Sequence, residues 1–313
     1  MKLSIKKGLI TISVLALITT TFYFIRKQIV PQKKPSQSIV ELVPQYQPET
    51  QLTKQEKSIQ EFQQLTDTGK PQIIHPKSQA EVEHIYKNIT MLEIPHIFID
   101  SLPPDWQIRS TADKTLFMKI ITALILHTNE KIQAEKLALQ QLQEKHLRQI
   151  EWTQEETDLF NHLVKKYDVF LTKKRDNQLK DLFEKVDIIP PSIAVAQAIL
   201  FTDWGRKNQK SIYGEYGWTD KTHYEPLPFD SLVVATDSFA AQLNSRTQLL
   251  EFRELRNKLI PYANVKYLGP ELVYYIHEYM DWDKNYPKKI QNVYQQGLIK
   301  ELDHAQFKTF PSE

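Results

Sequence analysis

The pattern of apolar and polar positions divides the chain into three zones. Residues 8–25, GLITISVLALITTTFYFI, run for 18 positions without a charge, with Lys2, Lys6 and Lys7 before them and Arg26 and Lys27 after them. As a helix this run spans roughly 27 Å, enough for a hydrocarbon core. It closes on Phe22, Tyr23, Phe24, Ile25 and Arg26. That ending suits an aromatic interfacial belt better than the small-residue site of a cleaved leader. The sequence therefore predicts a membrane anchor over residues 1–27, with the remainder outside the cytoplasm. Residues 28–75 read as a linker rich in proline and glutamine, containing one short helix over residues 53–65.

A folded body comes next. Residues 78–91 place Val82, Ile85, Tyr86 and Ile89 at helical spacing behind a capping Ser78. Residues 95–106 read as loop. Residues 111–150 carry Phe117, Ile120, Ile121, Leu124 and Ile125 on one face, and the charged stretch from Glu130 onward reads as the second arm of a hairpin. Further helices are expected over residues 153–167, where Thr153 and Glu156 form a capping-box pattern, and over residues 175–186. Residues 192–200 are almost wholly apolar and predict a buried helix capped by Ser192. It gives way to Phe201, Thr202, Asp203, Trp204 and Gly205. Glycines and aromatics then interleave from Ser211 to Trp218, the pattern of a small β lobe. Residues 76–185 form the first, helical part of this body, residues 186–300 its second part, and residues 301–313 a tail.

Composition narrows the chemistry. The 313 residues are 41% hydrophobic and 25% charged with a net charge of +2, so no global field points to nucleic acid. The absence of cysteine excludes disulfides, thiolate zinc sites, a cysteine nucleophile and a lipidated cysteine. The nine histidines show no metal-ligand spacing, and no cofactor is called for. With only seven glycines the body should be mainly helical, its unusual backbone lying between Trp204 and Trp218.

Six segments in order carry a resemblance. PPSIAVAQAILFTDWG is similar to PPSLALAQAALESGWG, and SIYGEYG to NLFGQW. FDSLVVATDSFAAQLN is similar to FDSVEESVRAYLHNLN, FRELRNKL to YRALRELR, and YMDWDKNYPKKIQNVYQQGLI to YSERGEAYVEELRALIRQNRL. IPHIFIDSLPPDW matches the opening of the same proteins. All are segments of Bax-type proteins of the bacterial endo-β-N-acetylglucosaminidase family. The similarity runs over residues 75–299. It implies a lysozyme-like α+β body with a cleft and a small β lobe, peptidoglycan glycan strands as partner, and cleavage beside N-acetylglucosamine.

The chain departs from that family at its reacting centre. The family's essential acid is the glutamate of ESGWG, and Phe201 stands there; Thr202 and Asp203 replace the next two residues. Glycoside cleavage needs a proton donor at the leaving oxygen, which phenylalanine cannot supply. Either a neighbouring carboxylate (Asp203, Glu215 or Glu225) has taken over, or the cleft binds glycan without cutting, or the body is an envelope scaffold that touches no glycan. By the same resemblance Tyr279 matches a tyrosine that assists the substrate. Trp204, Tyr213, Tyr216 and Trp218 are the candidate sugar-stacking faces.

Overall fold

The computed structural model describes residues 71–218, 224–259, 268–280 and 283–308, the segments 216–218 and 224–226 by backbone alone. The apolar run at 8–25, the linker up to residue 70 and its expected helix at 53–65 lie outside the described residues. Among the described residues no helix is long and apolar enough to cross a membrane.

The body is mainly helical. It opens with β1 (Gln72–Ile74), α1 (Gln79–Tyr86), β2 (Glu93–Ile94) and β3 (Ile97–Ile99). α1 starts where Ser78 Oγ accepts the Glu81 amide, as its sequence predicts, but ends at Tyr86, short of residue 91. The stretch expected to be loop contains β3, which pairs in parallel with β1, Ile73 opposite Phe98. That pairing joins segments separated by α1, so local periodicity carries no sign of it.

α2 (Thr111–Leu147) is one unbroken helix of 37 residues, which corrects the expected hairpin at Glu130. No glycine or proline interrupts the stretch, and Ile132, Ala138, Leu139 and Leu142 continue the buried stripe. Several charges after Glu130 pair with other elements rather than facing solvent: buried Glu135 accepts from Lys166 and Tyr167, Lys136 pairs with Asp187, and Lys145 with Glu156. Ser110 and Asp113 close a capping box at its start. α3 (Gln154–Lys166) begins with the capping box of Thr153 and Glu156 read from the sequence. α4 (Arg175–Lys185) comes after it.

α5 (Pro191–Thr202) is the hydrophobic axis, buried from Pro191 to Ile199. Its start differs from the expected Ser192 cap. Pro191 occupies the first turn with its preset φ and no N–H to satisfy, and the Ser192 amide donates to Asp303 Oδ1 at 3.0 Å. Next come β4 (Tyr216–Trp218) and β5 (Tyr224–Pro226), an antiparallel pair with Gly217 opposite Glu225. The chain continues through α6 (Leu232–Ser245), α7 (Leu250–Leu259), α8 (Leu268–Leu272) and α9 (Tyr286–Tyr294). α5 packs on α2 and α9, and α6 packs on α2. Arg256 of α7, fully buried, donates to Lys185 O and Asp187 O at 3.2 Å each and to Asn244 Oδ1 at 2.5 Å. It ties the end of α4 to α6.

The segment read as a tail is structural up to Lys308. β6 (Gln306–Phe307) pairs in parallel with β2, Leu302 is buried, and Asp303 also accepts the Gly269 amide at 2.8 Å.

Candidate functional site

The segment after α5 adopts an unusual backbone. Asp203, Trp204 and Gly205 have φ of 52°, 64° and 79° in succession. A bulky residue such as Trp204 is rarely left-handed and costs about 1–2 kcal/mol there. The surrounding bonds hold it. Thr202 Oγ1 donates to Ala198 O at 2.6 Å and accepts the Gly205 amide at 2.8 Å. Trp106 Nε1 donates to Trp204 O at 3.0 Å. A Cβ on Gly205 would lie 2.6 Å from Leu102 Cδ1, so this position takes only glycine.

This turn places the sequence candidates differently from one another. The ring of Phe201, half-buried, lies against Gly214: a Cβ there would fall 2.4 Å from Phe201 Cδ2. Phe201 thus occupies the space above the start of the lobe. Asp203 points to the surface, 44% exposed, and pairs with Arg206 Nη2 at 2.7 Å. Trp204 is half-buried, edge-on to Phe117 with the Lys114 ammonium 5.1 Å from its ring centre. Tyr213, expected to offer a face to sugar, is wholly buried. Its ring stacks on Phe239 at 4.3 Å and its hydroxyl bonds Thr236 Oγ1 at 3.0 Å, so the side chain is committed to the core. Tyr216 and Trp218 alternate with Gly217 along β4, opposite Pro226 and Tyr224 of β5.

Glu215 is the outstanding group. Its residue is 1% exposed, yet it carries a carboxyl. Oε1 accepts Gln242 Nε2 of α6 at 2.7 Å; Oε2 makes no hydrogen bond of standard geometry, and the Ser238 hydroxyl lies close enough to act on the carboxyl. Burial pushes its pKa up to about 8, partly offset by the Ser238 hydroxyl. The shift favours the neutral carboxyl near neutral pH. Ser211 Oγ and the Leu227 amide fix its backbone carbonyl at 3.3 and 2.7 Å.

Tyr279 belongs to the same region. It is buried, its hydroxyl is also without a partner, and burial followed by the nearby Glu215 raises its pKa well above the usual phenol value. Its ring meets the Phe239 edge at 5.4 Å, so Tyr213, Phe239 and Tyr279 form one aromatic series. Arg246 Nη1 holds the Tyr279 carbonyl at 2.9 Å. An unsatisfied buried polar group costs about 1–3 kcal/mol; such atoms also occur elsewhere in the body, at Ser192 Oγ and Tyr294 Oη.

Two residues of this region went unrecognised in the sequence. Gln197 is the single amide in the apolar α5. It donates to Tyr213 O at 2.6 Å and accepts from Tyr286 Oη at 2.9 Å, and its isolation among apolar neighbours was the available signal. Gln242 had no such signal, because it lies on a mixed amphipathic helix. Among the described residues no group of three or more His, Asp or Glu could hold a metal ion. No family model matches the chain, and neither a curated protein nor a solved structure matches it.

Proposed function

We propose that the chain is a membrane-held, peptidoglycan-directed protein of the glucosaminidase kind, in which the acid function has moved from position 201 to Glu215. The observation that carries this reading is the Glu215 carboxyl buried in the same region as the unpartnered Tyr279 hydroxyl, with burial raising the pKa of both. The helical body with an antiparallel two-stranded lobe supports the lysozyme-like arrangement that the segment resemblance implies.

In this reading Glu215 Oε2–H delivers its proton to the glycosidic oxygen on the far side of N-acetylglucosamine. A raised carboxyl pKa is what a general acid near neutral pH requires. The N-acetyl group of the substrate assists the departure, one of the known exceptions to the two-carboxylate scheme. Tyr279 steadies that acetyl carbonyl; water then attacks C1, displacing the acetyl oxygen, and its proton returns to the Glu215 carboxylate. Asp203, exposed and paired with Arg206, has no part in the chemistry.

A second reading, glycan binding without cleavage, is favoured by the near-complete burial of Glu215 and by Phe201 seated over Gly214. Incubation of the full chain with purified peptidoglycan separates the two. Hydrolysis predicts new reducing ends at N-acetylglucosamine, lowered about 10²-fold or more in Glu215→Gln and unchanged in Asp203→Asn. Co-sedimentation with peptidoglycan but no products leaves the binding reading. Absence of both refutes the glycan reading altogether.

A further inference from the structure

The loop from α3 to α4 presents two large apolar side chains on a fixed backbone. Tyr167 ends α3, and Asp168 behind it turns left-handed at φ 49°. The Val169 amide returns to Val164 O at 2.9 Å, and its side chain is buried, as in a left-handed helix closure. The next two side chains face outward: Phe170 is 71% exposed and Leu171 77%. The loop beneath them is tied. Gln178 Nε2 donates to Phe170 O at 3.2 Å and the Lys173 amide to the same oxygen at 3.3 Å. Lys185 Nζ donates to Tyr167 O and Asp168 O at 2.8 Å each.

Charge concentrates around this tip. Residues 165–175, KKYDVFLTKKR, hold five basic residues and one acid, against a net charge of +2 for the whole chain. Lys165, Lys173 and Lys174 are exposed. Lys173 sits 5.6 Å from the Phe170 ring centre while pairing with Asp181, and Arg175 lies over Trp152 at 4.3 Å. A protein groove would bury Phe170 and Leu171 without needing the charge surplus. A nucleic-acid duplex would use the charge without the apolar pair, and a single strand could stack on Phe170 but would leave Leu171 without a role. An anionic lipid surface uses both, apolar groups entering the headgroup boundary and ammonium groups meeting phosphates.

We propose that this tip docks the body on an anionic lipid surface, Phe170 and Leu171 inserting and Lys165 and Lys174 contacting phosphate. The docking is independent of the glycan reading. Because the chain has no cysteine, Leu171→Cys provides a single thiol at an exposed position for an environment-sensitive fluorophore. The same label at the exposed Asp230, as Asp230→Cys, is the control. The full chain is reconstituted into vesicles of phosphatidylglycerol with phosphatidylcholine, or of phosphatidylcholine alone, each doped with spin-labelled lipid. The expected result is strong quenching at 171 and little at 230 in the anionic vesicles. It falls in neutral vesicles, and by about fivefold or more in accessibility when Lys174→Glu is added. Equal quenching at 171 and 230, or at 171 in both lipids, overturns the proposal. Shielding of the 171 label from aqueous iodide without vesicles also overturns it, pointing to a protein partner.

Discussion

Replacing Glu215 by glutamine should stabilise the fold at neutral pH while lowering hydrolysis about 10²-fold or more. The folded-state pKa of Glu215 is raised to about 8 from a reference of 4.5. Below pH 4.5 the group is protonated in both folded and unfolded chains and contributes nothing to the difference. Between 4.5 and 8 the native state binds a proton that the unfolded state has released, so stability falls as pH rises. The slope is about 1.4 kcal/mol per pH unit. The loss reaches about 3 kcal/mol at pH 7 and about 3–6 kcal/mol above pH 8, where it levels off. Glutamine keeps an oxygen to accept from Gln242 and cannot ionise. The gap between Glu215→Gln and parent should therefore be near zero at pH 4 and open steadily to pH 8. Urea unfolding of both chains across this range measures it, the other titrating groups cancelling in the difference. A gap that does not change with pH would mean that Glu215 is not a buried neutral acid.

Tyr279→Phe removes a hydroxyl that bonds nothing in the structure. Stability should hold within about 1 kcal/mol or rise while product release from peptidoglycan falls, both measured on the same preparation. Asp203→Gly frees a left-handed position and loses only a surface ion pair, so unfolding should shift by no more than about 1 kcal/mol with turnover unchanged. Gly214→Ala drives a methyl into the Phe201 ring at a positive φ and should cost about 1–3 kcal/mol. Part of that cost should disappear in a double mutant with Phe201→Ala. Arg256→Lys loses the forked contacts to Lys185 O, Asp187 O and Asn244 and should destabilise by about 3 kcal/mol in thermal unfolding.

Where the deciding interactions are local, the sequence was legible. The caps at Ser78 and Thr153 and the buried character of α5 each depend on residues close together in the chain. The continuity of α2 was missed because charges dilute its stripe after Glu130, although buried positions persist to Leu142. The parallel pairs β1–β3 and β2–β6 join distant segments that periodicity cannot connect. At the site, Glu215 beside Gly214 reads as a surface charge. Its burial is imposed by α6, through Gln242 twenty-seven positions later, and the same helix, through Phe239, hides the ring of Tyr213. Glu215 and Tyr279 were among the candidates, whereas Gln197 and Gln242 were not. What could not be read was which candidates the tertiary packing would desolvate.

The pairing of β2 with β6 also sets an order of assembly. Ile94 leaves the site of synthesis about 200 residues before Phe307, its partner. The amides of Ser192 and Gly269, emerging at different times, likewise wait for the carboxylate of Asp303. Until that late stretch arrives, the edge of β2 and the start of the apolar α5 stand open to proteases and to other chains. One stretch after Leu302 therefore closes both β2 and the start of α5, and clipping there would open both in a single cut.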